Sequence, residues 1–319
     1  MRVVAYVLLA ILLTPLYLLG AVCYFVPLYP RRGRVSGTAY EPFTGRLLFD
    51  LIGTRPHPFA RRLAPGLPAT NGAFMALMMR PMAWASRVTG FTPDAFTYPA
   101  EDDGAVGTLL AARTAFIDEA LETFVAEGGG QIVVLGAGWD TRLYPLQRRA
   151  DLVLFEVDAP ATQAEKRTAL ERTGIDAAEV RFVSCDFEAT PWPDALAAAG
   201  FDPAQRTFLL WEGVSMYLEA ATVAATLQVF SRLPAGSRLV FDVFLRPWLE
   251  GTRAGRAAQR AVRVSYGETL RWSMAVDGDP EASARALLAG HDLRLVRSRT
   301  VGPRDCPAYG VLEAERAHP

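Results

Sequence analysis

A glycine pair and a series of acidic side chains fall at regular intervals through the middle of this chain, in an order suited to holding a nucleoside. The apolar, β-favouring run Ile132 to Leu135 leads into Gly136-Ala137-Gly138. Glycines at such a strand end permit a turn with φ > 0 and let a ligand approach the backbone. Asp158 lies 20 residues beyond Gly138, the interval at which a carboxylate can accept both hydroxyls of a ribose. Glu156 stands two positions before it. Asp186 can take an adenine amino hydrogen while the neighbouring Phe187 packs on the base, and Glu212 can pair with a cationic group. A dinucleotide fingerprint would place a third glycine where Trp139-Asp140-Thr141 stands. That disfavours a pyrophosphate and favours a nucleoside with an amino-acid tail, S-adenosylmethionine. Arg113, on the segment before the first strand, is placed to meet the tail's carboxylate.

The elements that must position these residues are legible in the hydrophobic pattern. Strands are expected at Ile132 to Leu135, Leu152 to Val157, Val180 to Ser184, Thr207 to Trp211, Ser237 to Phe244, His291 to Val301 and Ala308 to Glu313. Helices are expected over Thr108 to Val125, Ala161 to Thr173, Thr222 to Leu233, and between Asp279-Pro280 and Gly290. Asp140 and Thr141 are good N-caps, so a further helix is expected after the glycine turn, with the turn's N–H groups left for a ligand. Alternating strands and helices predict a Rossmann-like, doubly wound, mostly parallel seven-stranded sheet, with an antiparallel element at its end. In such a sheet the ligand lies beyond the carboxyl ends of the strands, where these acidic residues fall.

With 319 residues, 51% hydrophobic, and a net charge of −1, the chain has ample core and no electrostatic footprint for nucleic acid. Cys23, Cys185 and Cys306 are far apart, and His57, His291 and His318 are equally scattered, which argues against a disulfide framework or a metal centre. No Ser-His-Asp or Cys-His set is visible.

From Val3 to Pro30 there are 28 consecutive uncharged positions, more than a membrane-spanning helix requires. Tyr6 at one end and Tyr24 and Tyr29 at the other suit interfacial belts. Arg31, Arg32 and Arg34 follow the run and only Arg2 precedes it, so a single-pass anchor is expected over residues 1–30 with the body in the cytoplasm. Residues 31–103 are expected to form a helical lid, with helices at Glu41 to Ile52 and Gly72 to Thr89. The second carries Met75, Met78, Met79 and Met82, an adaptable apolar surface suited to a substrate lid, to membrane contact or to core packing.

Three blocks carry a family resemblance: Leu135-Gly-Ala-Gly-Trp-Asp-Thr-Arg142, Phe155-Glu-Val-Asp-Ala-Pro160 with Lys166, and Trp211-Glu-Gly-Val-Ser-Met-Tyr-Leu218. Together with Arg113-Thr114-Ala-Phe-Ile-Asp118, they resemble the leucine carboxyl methyltransferase family, including its bacterial polyketide O-methyltransferase-like branch. The resemblance covers residues 104–245 and implies a class I S-adenosylmethionine-dependent methyltransferase domain over 104–319. It implies that Arg113 holds the methionyl carboxylate and Gly136, Ala137 and Gly138 the methionyl backbone. Asp158 would hold the ribose; Glu156, two positions before it, is a cofactor-binding candidate whose other reading is to brace the loop or an arginine. Asp186 and Phe187 would hold the adenine, Glu212 the amino group, and Tyr217 would lie near the transferring methyl.

Methyl transfer from a sulfonium needs positioning rather than a metal, and a carboxylate acceptor needs no general base. The expected activity is O-methylation of a carboxylate or acidic hydroxyl on a small, lipophilic molecule. The competing readings are a nucleotide-dependent oxidoreductase on the same sheet and a binding protein without turnover.

Overall fold

The computed structural model describes residues 1–100, 103–187 and 191–317; His318 lies outside them. Among the described residues, seven strands form one sheet in the order β3-β2-β1-β4-β5-β7-β6. They are β1 (Gly130–Leu135), β2 (Leu152–Asp158), β3 (Val180–Ser184), β4 (Thr207–Trp211), β5 (Arg238–Phe244), β6 (Leu293–Val301) and β7 (Tyr309–Arg316). The first five pair in parallel, whereas β7 runs antiparallel to β5 and β6 antiparallel to β7. The sheet is therefore mixed. β4 is buried along its whole length and β1 nearly so, as expected of apolar runs covered on both faces. The chain crosses from one half of the sheet to the other between β1 and β4, and this opens the crevice that holds the site.

Helices cover both faces. α1 (Arg2–Leu28), α2 (Tyr40–Ile52) and α3 (Pro58–Leu63) precede a continuous helical stretch made of α4 (Gly72–Phe74), a π-turn (Met75–Met79) and α5 (Arg80–Thr89). Then come α6 (Leu109–Ala126), α7 (Pro160–Thr173), α8 (Trp192–Ala198), α9 (Ala220–Phe230), α10 (Arg246–Gly251), α11 (Arg253–Tyr266) and α12 (Pro280–Ala289). Local signals explain several boundaries. α7 starts on Pro160 and stops at Gly174 in the left-handed conformation, and Asp279 caps α12 by accepting from the Ala282 N–H at 2.7 Å. α8, α10 and α11 had no clear sequence signal.

No helix follows the glycine turn. Residues 139–151 form successive turns instead. The side chain of Asp140 accepts the N–H of Arg142 two residues on, at 2.7 Å, which makes an Asx-turn rather than an N-cap. Pro145 also biases Tyr144 away from helical backbone.

α1 packs along the stretch 72–89 in the opposite direction. Tyr6 meets Phe91 with ring centroids 5.3 Å apart, and Asn71 Nδ2 donates to the Cys23 carbonyl at 3.0 Å. Between these contacts, Gly20 lies so close that a Cβ would come within 2.7 Å of Met78 Cβ. Tyr24 packs on Tyr40 and Phe74 inside the protein, not in an interfacial belt, while Val4, Leu8, Ile11, Leu12 and Leu19 are exposed. Met75 and Met79 are buried, and they share one hydrophobic cluster with Phe43 of α2, Phe116 of α6 and Ile132 of β1.

Candidate functional site: a cavity beyond β1, β2 and β4

A cavity of about 480 Å³ opens at the carboxyl ends of the central strands. Gly136 and Gly138 take φ of +65° and +41° there. A Cβ on Gly136 would come within 2.3 Å of Val214 Cγ2, so the turn and the β4 loop interlock only with glycine at this position. The backbone N–H groups of the turn are not free. Those of Gly136 and Ala137 both donate to the Val157 carbonyl, at 2.8 and 3.1 Å, and that of Gly138 donates to Asp158 Oδ2 at 2.5 Å. The turn thus serves to bring backbone close to the cavity and to fix Asp158.

Asp158 ends β2. Its Oδ1 accepts the Ala159 N–H at 2.7 Å, so each carboxylate oxygen holds one backbone donor and keeps further acceptor capacity. Burial raises its carboxyl to about 6, with the Gly138 and Ala159 N–H groups and Lys166 opposing. Glu156, one turn of the pleat earlier, does not line the cavity. Lys166 Nζ on α7 lies 2.6 Å from its Oε2, and burial raises the Glu156 carboxyl to about 7. Phe187, beyond β3, lines the cavity, whereas Asp186 beside it is exposed and does not.

Glu212, at the end of β4, is held by three arginines: Arg142 Nη1 at 2.6 Å, Arg113 Nε at 3.1 Å and Arg46 Nη1 at 3.2 Å. Burial alone would raise its carboxyl, but these cations bring it down to about 2. Arg142 also meets Asp140 at 2.5 Å and Asp118 at 2.7 Å. Burial opposes ionisation of Asp140 too, yet Arg142 and Arg46 hold its carboxyl well below the usual range. Arg113 donates through Nη1 to Asp242 Oδ2 and to the Tyr309 hydroxyl, both at 2.9 Å. Asp242 in turn accepts the Gly213 N–H at 2.7 Å and so fixes the loop that follows Glu212. Tyr217 is partly buried on the loop after β4, and burial raises its phenol above the ordinary value.

Of the residues singled out from the sequence, Arg113, Gly136, Ala137, Gly138, Asp158, Phe187, Glu212 and Tyr217 all line this one cavity; Glu156 and Asp186 do not. Sequence reasoning missed Arg46, Asp242, Glu41 and Glu268. The first two are lone charges inside apolar runs, Arg46 beside Leu47-Leu48-Phe49 and Asp242 within Leu239-Val-Phe-Asp-Val-Phe244. A buried charge in such a setting needs a partner, and that is the signal they offered. Glu268 ties the segment before α2 over the cavity: its Oε1 accepts the Gly37 N–H at 2.8 Å and its Oε2 the Thr38 hydroxyl at 2.5 Å. Glu41, in the first turn of α2, lines the same cavity, and burial raises its carboxyl above the ordinary value, opposed by Arg113.

The family model described as leucine carboxyl methyltransferase matches residues 69–231 of this chain. A protein of Mycolicibacterium paratuberculosis, named by inference an S-adenosyl-L-methionine-dependent methyltransferase, is 31% identical over 281 residues, 82% of this chain and 89% of the relative. A Frankia alni protein named in the same way is 34% identical over 201 residues, 60% of this chain and 70% of its own. Among solved structures, geranyl diphosphate C-methyltransferase from Streptomyces coelicolor is 16% identical, with a TM-score of 0.43 over 65% of this chain and 83% of that one. Magnesium protoporphyrin IX methyltransferase from Synechocystis is 15% identical, with a TM-score of 0.41 over 68% and 90%. Neither of these two likenesses bears on the chemistry of this chain.

Proposed function

From the premise that the chain belongs to the leucine carboxyl methyltransferase family and is an S-adenosylmethionine-dependent methyltransferase, we propose that it O-methylates a carboxylate or acidic hydroxyl on a small, lipophilic molecule. The observation that carries this reading is the convergence of Asp158, the Gly136–Gly138 turn, Arg113, Phe187 and Tyr217 on one cavity. The residues present suit the cofactor. Asp158 has acceptor capacity for ribose hydroxyls, Phe187 offers a ring for the adenine, and the turn lets the methionyl chain lie against backbone. Asp186 would reach the adenine from outside the cavity wall. Arg113 would meet the methionyl carboxylate from within its ion-pair network, and Glu212, while neutralising that network, presents the acidic surface that suits the amino group. Glu156 would act indirectly, by holding Lys166 and the start of α7 beside Asp158.

When bound, S-adenosylmethionine supplies an electrophilic methyl on a sulfonium. Its methyl would pass to an acceptor oxygen, the new C–O bond replacing the S–C bond and the electron pair going to sulfur. The protein's part is alignment, and Tyr217 bounds the space where the acceptor oxygen must lie. A carboxylate acceptor has no proton to lose. A hydroxyl acceptor would pass its proton to Glu41, a cavity-lining carboxylate whose raised carboxyl makes it the stronger base. We read residues 31–103 as the lid over this cavity and residues 1–30 as the membrane attachment of a body facing the cytoplasm.

Calorimetry of the full chain in detergent with S-adenosylhomocysteine tests the cofactor assignment, and S-adenosylhomocysteine release from S-adenosylmethionine with fractionated lipid extracts tests the reaction. Absence of binding, or release confined to nitrogen- or carbon-methylated products, overturns the reading.

A further inference from the structure

A second cavity, of about 430 Å³, lies behind the first and shares Glu41 and Leu110 with it. Its walls come from α1, from the stretch 72–89 and from α2, and they are apolar apart from Glu41, Thr44 and the two tyrosines Tyr24 and Tyr266. Gly45 keeps the passage beside Leu110 open: a Cβ there would stand 3.3 Å from Leu110 Cδ1. The π-turn Met75–Met79 occurs at this wall, and such insertions re-aim side chains at functional positions. Met78 and Met82, both only partly buried, face the cavity with unbranched chains that can repack around an occupant. Ala21, Tyr24 and Phe25 place α1, the most apolar helix of the chain, directly in the wall.

We infer that this second cavity holds the single long aliphatic chain of the methyl acceptor, threaded so that its polar end emerges beside Glu41 in the first cavity. The inference rests on the methyltransferase reading and adds the substrate class. Three features support it together. The cavity is apolar and of ligand size, it meets the methyl-transfer cavity at one acidic residue, and one wall is a helix whose outer face is exposed and apolar. An acyl or prenyl chain drawn from a membrane could enter beside α1 without crossing water, and its oxygen-bearing end would arrive beside Glu41.

The test uses the full chain in detergent and palmitate carrying a mid-chain diazirine. After photolysis, adducts are expected on Tyr24, Met78, Met82 and their neighbours, and Met78→Trp, which fills the cavity, should lower them by about tenfold or more. Ala76→Trp, on the exposed side of the same turn, should leave labelling unchanged. Calorimetry with S-adenosylhomocysteine on the same preparations shows that each variant is folded and reports the cofactor site separately. Adducts confined to Leu8, Ile11, Leu12 and Leu19 of the exposed α1 face, or equal labelling of Met78→Trp and wild type, overturn the inference while leaving the methyltransferase reading standing. So does a lipid fraction that supports S-adenosylhomocysteine release without displacing the label.

Discussion

Arg113 Nε stands 3.1 Å from Glu212 Oε1, and both side chains are almost fully buried at the wall of the methyl-transfer cavity. Arg142 and Arg46 hold the other carboxylate oxygen of Glu212, at 2.6 and 3.2 Å. This acid is therefore a counter-charge shared by three buried guanidinium groups, beside Asp118, Asp140 and Asp242. Glu212→Gln keeps the shape and removes the charge. Breaking a buried pair in this way costs about 3–5 kcal/mol. Chemical denaturation of the variant is expected to show a loss of that size, and an unchanged midpoint would mean that the arginines are solvated.

Asp158 gives a prediction that runs in opposite directions for stability and for binding. Its folded carboxyl is raised to about 6 against an ordinary value of 3.8, so between those values the folded state binds the extra proton. Stability contributed by that proton is complete below the lower value and is lost as pH rises through about 6. Asp158→Asn removes the burial penalty of the ionised carboxylate, about 1–3 kcal/mol at pH 7, but also one of the two acceptors for the Gly138 and Ala159 N–H groups. The variant's stability should therefore no longer fall as pH rises through about 6. The ionised carboxylate is the form that accepts ribose hydroxyls, so wild-type affinity for S-adenosylhomocysteine should climb between pH 5 and 7 (roughly the span around that raised value). The variant should bind about 10- to 100-fold more weakly and lose the climb. Titration calorimetry across this range, beside thermal melts, reads both effects. A variant whose affinity keeps the wild-type pH profile would remove Asp158 from the ribose.

The central strands were legible because Ile132–Leu135 and Phe208–Trp211 are continuous apolar runs ended by turn residues, and burial on both faces leaves no other arrangement for them. The family blocks were legible for the same reason, since they sit at those ends. Long-range pairing was not. Nothing in the spacing says that Arg46 of α2 reaches Glu212, or that Glu268 clasps Gly37 and Thr38, because those contacts depend on how the N-terminal segments fold back over the sheet. Asp140 misled for a local reason: an Asx-turn and an N-cap use the same side chain, and Pro145 decided between them.

Gly136 links the turn to the loop after β4. Gly136→Ala places a methyl where Val214 Cγ2 now stands, at a backbone conformation that L-residues adopt only with strain. The loop carrying Glu212 to Tyr217 must then move away from the turn. The expected outcome is loss of S-adenosylhomocysteine binding beyond the loss of stability, which strain alone sets at about 1–2 kcal/mol. Restored binding in the double variant Gly136→Ala, Val214→Ala would show that the clash is the cause, and wild-type affinity in the single variant would show that the two loops move independently.

How α1 meets a membrane depends on what lies beside it. The most apolar 18-residue window of α1 has a mean hydropathy of 2.3, which suits a span, but α1 does not stand alone. The stretch 72–89 runs beside it from Asn71, near Cys23, to Phe91, near Tyr6, and carries Arg80 and Arg87 opposite its central turns. A perpendicular α1 would draw both arginines toward the bilayer centre, at a cost of about 2.5–3.5 kcal/mol each. Lying in the interface, the pair instead offers one apolar face with the exposed Trp84 and Val88, while the exposed Arg80 reaches the headgroups and Arg87 stays on the Leu51 carbonyl. The full chain is therefore expected to need detergent for extraction and to keep both ends of α1 on the side of the body. In proteoliposomes with the body outward, a protease site placed before Met1 should be cut as fast as one placed after Pro319. Protection of the N-terminal site until the vesicles are opened would establish the span instead, and full solubility without detergent would remove the membrane from the account.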